Sequence, residues 1–131
     1  MPIYAISGNH EAWGSADVED IIKDYTGQDL YYVIEKGNDV FIMLGVVCRS
    51  SPYQIFADGE LQWLYKQLEK HRNKRCFVFE HIFPWNGCGN AQNIYGPNLW
   101  SAKEAETFDS LMSHYHNVIL FHGHSHLKFE L

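Results

Sequence analysis

Five side chains suited to metal binding stand just past short apolar runs: Asn9 and His10 after residues 2–6, His81 after residues 76–79, and His124 with His126 after residues 118–121. Neutral imidazole nitrogens and an amide oxygen suit zinc, iron, nickel or manganese. Gly123, just before His124, lets the backbone turn sharply enough to aim two imidazoles at one point. Each fragment alone has an ordinary reading. Gly8-Asn9-His10 is a common turn, a lone histidine such as His81 at a strand end is usually a hydrogen-bonded surface residue, and only Gly123-His124-Ser125-His126 is sharp by itself. Their shared placement after apolar runs is what favours metal chemistry.

The elements that must position these side chains follow from periodicity. Residues 2–6 read as a buried strand ending at Gly8-Asn9, followed by a loop carrying His10 and Glu11. Val18, Ile21, Ile22 and Tyr25 recur at helical spacing, with Ser15 as a candidate N-cap and Gly27 just past the end. Residues 31–35 and 40–47 are β-rich, and the turn chemistry of residues 36–39 between them predicts a hairpin. A helix is predicted over residues 60–71, with Leu61, Leu64, Tyr65 and Leu68 as its stripe and Asp58 as its cap. Residues 76–79 read as a buried strand. After the uncharged stretch 82–100, Ser101 and Glu104 have capping-box spacing before a helix with Phe108, Leu111, Met112 and Tyr115 on its buried face. Residues 118–121 read as the last full strand. This order predicts an α/β fold with helices packed outside sheet. In open α/β sheets ligands gather beyond the carboxyl ends of the strands, so parallel neighbouring strands would bring the five side chains to one edge.

A chain of 131 residues, 46% of them hydrophobic, is long enough for one domain with a core and too short for two. A formal net charge of −6 argues against a surface that tracks nucleic-acid phosphates, which needs clustered Lys and Arg. No run approaches eighteen apolar residues, so no membrane span is expected. Cys48, Cys76 and Cys88 are odd in number and share no C-x-x-C spacing, which points to ordinary reduced thiols.

Gly8-Asn9-His10-Glu11, then His81 in His-Ile-Phe-Pro, then Gly123-His124-Ser125-His126 resemble the last three signature blocks of the calcineurin-like metallophosphoesterase family. That family includes purple acid phosphatases, serine/threonine phosphatases and bacterial phosphodiesterases. Residues 59–64 before the His81 strand are also similar to its bacterial members, and the resemblance spans nearly the whole chain. It implies a partial α/β/β/α sandwich and hydrolysis of a small phosphate ester. It also implies that Asn9, His81 and His124 bind one metal of a dinuclear pair of manganese, iron or zinc ions, and that His126 binds the other. His10 would face the phosphate and stabilise or protonate the leaving oxygen, with Glu11 as support. His122 would at most support the cluster. Trp85, with Tyr95 and Trp100, would either wall the leaving-group side or pack against the sandwich.

The family's D-x-H and G-D-x-x-D blocks, which supply an Asp and a His for the first metal and the Asp that bridges both, do not occur in the chain. The expectation is therefore a single domain corresponding to the C-terminal part of such an enzyme, cut at both ends, impaired as a catalyst and holding at most one metal. Two +2 charges at ~3.7 Å repel by on the order of 18 kcal/mol at an effective dielectric of about 20, so a second ion needs the bridging carboxylate. The alternative expectation is a non-catalytic metal-binding or interaction module that keeps the fold. His114 and His116 copy the H-x-H spacing but precede the last strand, which places them at the opposite edge, where histidine suits a helix C-terminus; His71 is a similar case.

Overall fold

The computed structural model describes residues 2–13, 17–49, 54–82 and 102–124. Four strands make one mixed sheet in the order β1-β2-β3-β4: β1 (Tyr32–Lys36), β2 (Asp39–Met43), β3 (Arg75–Glu80) and β4 (Val118–His122). β1 and β2 form the predicted hairpin, antiparallel and in register from Tyr32↔Met43 to Lys36↔Asp39. The connection is tighter than the four residues expected, because Lys36 and Asp39 already pair and only Gly37-Asn38 turns. Gly37 adopts φ 60°, the left-handed conformation that such a two-residue turn demands. β2, β3 and β4 are parallel neighbours, and parallel neighbours need a crossover between them.

Helices supply those crossovers: α3 (Glu60–Lys70) between β2 and β3, and α4 (Ala102–His114) between β3 and β4; α1 (Asn9–Ala12) and α2 (Val18–Thr26) precede the sheet. The sheet's two faces differ because side chains alternate along a strand. Val40, Ile42, Cys76 and Val78 are fully buried and join Val18, Ile22, Leu64, Leu68 and Phe108 in the core, so the helices cover that face. Phe41, Phe77, Phe79 and Phe121 line the opposite face in a stacked series, with Phe79 and Phe121 centroids 4.9 Å apart at 9°. Phe121 and Ile119 there are 47% and 49% exposed. Among the described residues no helix is long and apolar enough to cross a membrane, and Cys48 and Cys76 are free thiols.

Several local expectations are corrected. Residues 2–6 form no strand. Their tie to the sheet is a side-chain bond, the Tyr32 hydroxyl donating to the Ala5 carbonyl at 2.8 Å, and the backbone of residues 46–47 past the end of β2 is bonded to Ser7 and Ile55. The Val46 amide donates to Ser7 Oγ at 2.7 Å, the Ser7 hydroxyl donates back to the Val46 carbonyl at 3.2 Å, and the Val47 amide donates to Ile55. For the same reason β2 stops at Met43 rather than running to Val47. His10 and Glu11 lie in the helical turn α1 rather than in a loop. In α2 the buried stripe is Val18 and Ile22; Tyr25, in the last turn, is 88% exposed. Asp17 occupies the N-cap position of α2, and Ser15 lies outside the described residues. Gly59 is the N-cap of α3 while Asp58 accepts from Gln54 Nε2 at 2.8 Å, so Asp58 is not the cap. No side chain caps α3; Glu60, its first residue, instead accepts from the Ala57 amide at 2.9 Å in the segment leading into the helix. Ser101 lies outside the described residues; Glu104 accepts from the amides of Ile55 and Phe56, tying α4 to the segment before α3.

Candidate metal centre

Because β3 and β4 run parallel and side by side, the residues leaving their carboxyl ends emerge together. Glu80 pairs with His122, and one residue further the Gly123 amide donates to the His81 carbonyl at 3.2 Å. Asn9 arrives from another part of the chain. Ser7, fully buried and bonded to Val46 beyond β2, fixes the approach to α1, and Glu11 closes that turn by accepting from the Gly8 amide at 2.8 Å. The three side chains converge. Asn9 Oδ1 lies 2.9 Å from His81 Nε2 and 3.0 Å from His124 Nδ1. The imidazoles meet edge to face, with centroids 5.2 Å apart at 74°. Asn9 is 3% exposed, and both histidines are half-buried.

An amide oxygen is only an acceptor, so it can serve two ring nitrogens in two ways. Where both nitrogens carry hydrogen they donate to it. Where both offer lone pairs, the three atoms present a donor set to a shared cation. An ion ~2.1 Å from each atom would hold neighbouring ligands about 3.0 Å apart in an octahedron, close to the separations between the oxygen and each nitrogen. The residues therefore fit a divalent transition metal with two nitrogens and one oxygen. Among the described residues no group of three or more His, Cys, Asp or Glu is placed to hold a metal; here the third member is an amide.

Backbone geometry is committed to this cluster. His124 has φ 62°, left-handed and strained for a residue other than glycine, which marks a position held by its surroundings. Two glycines flank His81. A Cβ on Gly8 would stand 3.1 Å from His81 Nε2, and one on Gly123 would stand 3.3 Å from His81 Nδ1. Side chains at either place would press on the ring that must meet Asn9.

His10 is the next residue round the α1 turn, about 100° from Asn9. It is exposed where Asn9 is buried, and its ring stands edge to face with Trp13 at 5.3 Å. His122 closes β4 itself, opposite Glu80, and is exposed. His126 and Trp85 lie outside the described residues. His114 ends α4 and His116 precedes β4, at the edge opposite His124. His71, 2% exposed, caps the end of α3, 3.4 Å from Glu35, and burial lowers its pKa.

Two buried carboxyls near the same edge were not among the expected site residues. Glu60 is fully buried, accepts from the Gly45 amide at 2.7 Å as well as from Ala57, and burial pushes its pKa up to about 8. Glu80, 1% exposed, is held well above the usual carboxylate range by burial, with the charge of Glu60 acting in the same direction. The signal for Glu80 was in the sequence: the alternation Cys76, Val78, Glu80 puts it on the buried face. No family model, no curated protein and no solved structure matches the chain.

Proposed function

We propose that this chain is the metal-binding part of a phosphoric ester hydrolase of the calcineurin-like metallophosphoesterase type, and that it holds one divalent ion through Asn9, His81 and His124. The observation that carries the proposal is the meeting of Asn9 Oδ1, His81 Nε2 and His124 Nδ1, from three distant parts of the chain, at 2.9 and 3.0 Å. The placement of His81 and His124 beyond the carboxyl ends of parallel strands supports it. The partly exposed aromatic face of the sheet supports the sandwich architecture, in which that face would meet a second sheet.

A bound divalent ion supplies Lewis acidity and the positive charge that draws an anionic ester, which a chain of net charge −6 does not otherwise offer. The chain's own residues would do the rest. Asn9, His81 and His124 fix the ion, and the α1 turn holds Asn9 and exposes His10 beside it. His10 would meet the phosphate and donate a proton to the leaving oxygen. No D-x-H or G-D-x-x-D block occurs in these residues, so the proposal gives the chain one tightly held ion and weak hydrolysis by itself.

Calorimetric titration with Mn(II), backed by elemental analysis, tests this. The expected result is one ion per chain, with Asn9→Ala, His81→Ala and His124→Ala each weakening binding by at least about tenfold while circular dichroism stays unchanged. Two tightly held ions per chain, or wild-type affinity in all three variants, would refute the site. Vigorous metal-dependent turnover of a chromogenic phosphate ester would refute the expected impairment. Metal binding without any affinity for phosphate would favour a non-catalytic module.

A further inference from the structure

Trp13 is a large apolar side chain left half in solvent beside the proposed centre, at 50% exposure. Its place is fixed rather than incidental. Trp13 caps α1, its amide donates to the Asn9 carbonyl at 2.8 Å, and its indole stands 5.3 Å from the His10 ring at 62°. One helical turn thus carries a buried metal-ligand candidate, an exposed imidazole and an exposed indole. The charged residue of that turn, Glu11, accepts from the Gly8 amide. The group next to His10 is therefore apolar and aromatic.

We infer that Trp13 forms the wall against which the alcohol portion of the ester rests, and that it selects esters of planar alcohols over small alkyl esters. The inference rests on the phosphoesterase proposal. If a phosphoryl group sits between the ion and His10, its leaving oxygen faces His10, and the alcohol beyond that oxygen meets the indole. A flat ring gains stacking contact there that a methyl group cannot.

The test needs no turnover. Phenylphosphonate and methylphosphonate share a head group and differ only in the group that would meet Trp13. Their affinities for the Mn(II)-loaded chain are measured by calorimetry in the wild type, Trp13→Ala and Trp13→Phe. Phenylphosphonate is expected to bind the wild type roughly three- to tenfold more tightly than methylphosphonate. That ratio should fall to about one in Trp13→Ala and largely survive in Trp13→Phe. An unchanged ratio in Trp13→Ala overturns the wall, as does equal affinity of the two phosphonates in the wild type. Absence of binding by both overturns the phosphoesterase proposal and the wall with it. Because the ratio is taken within one protein, a general loss of stability in Trp13→Ala does not imitate the expected result, and Trp13→Phe supplies a second reading where the alanine variant fails to fold.

Discussion

Replacing Glu60 by Gln should reverse the ranking of the two proteins' stabilities between mildly acidic and mildly alkaline solution. The Glu60 carboxyl is fully buried, and burial raises its pKa from 4.5 to about 8 despite the Gly45 and Ala57 amides that donate to it. The folded state thus holds the proton to a higher pH than the unfolded chain. This group's stabilising contribution is complete below the unfolded pKa of 4.5 and falls as pH rises to about 8, where the folded carboxyl also ionises. A gap of three to four units at about 1.4 kcal/mol each makes the total on the order of 5 kcal/mol. Gln does not titrate, so the variant lacks this slope. It carries its own defect, however. Gly45 donates to one carboxyl oxygen and Ala57 to the other, so an amide side chain keeps one bond and turns its NH2 toward the second donor. Leaving a buried donor unsatisfied costs about 1–3 kcal/mol. Wild type should therefore be the more stable protein at pH 5 and the less stable at pH 8–9. Urea unfolding followed by tryptophan fluorescence, at fixed ionic strength from pH 5 to 9, measures the difference directly, and groups that titrate alike in both proteins cancel. A stability difference that stays constant across that range would show that Glu60 is ionised throughout in the folded chain.

Gly8→Ala should weaken Mn(II) binding by about tenfold while costing less than about 1 kcal/mol of stability, because the new methyl stands 3.1 Å from His81 Nε2 and must displace the ring; calorimetry and urea unfolding separate the two effects. Phe108→Ala should cost about 3–5 kcal/mol in the same unfolding assay, since Phe108 is fully buried and stacks on Phe56 at 5.5 Å in the contact that fixes α4.

The sequence carried most of the sheet because its strands alternate or are flanked by clear turn chemistry. Lys36-Gly37-Asn38-Asp39 locates the hairpin, and the stripes around Leu64, Leu68 and Phe108 locate the two crossover helices. The meeting of His81 and His124 was legible for the same reason: a helix between two apolar strands implies parallel neighbours, whose ends share an edge. Residues 2–6 were misread because an apolar run does not say whether it joins a ladder; here the tie to the sheet is the Tyr32 hydroxyl on the Ala5 carbonyl. Asn9 meets the two imidazoles all the same, carried by a helical turn and not a strand end. Glu60 and Glu80 went unnoticed because an isolated carboxylate ordinarily lies in solvent; Glu60 bonds locally to the Ala57 amide, but its bond to Gly45, fifteen residues away, has no local spelling. His126 and Trp85 lie outside the described residues.

The bond between Asn9 and His124 joins positions 115 residues apart, and that between Asn9 and His81 joins positions 72 apart. Closing loops of such length is entropically costly, though the cost grows only with the logarithm of the span. A contact of this kind is a clasp across most of the chain, and closing it costs least once the sheet already holds the intervening elements together. Ion uptake would accordingly report completed assembly, and saturating metal would tighten the clasp by lowering the population of every partly opened form at once.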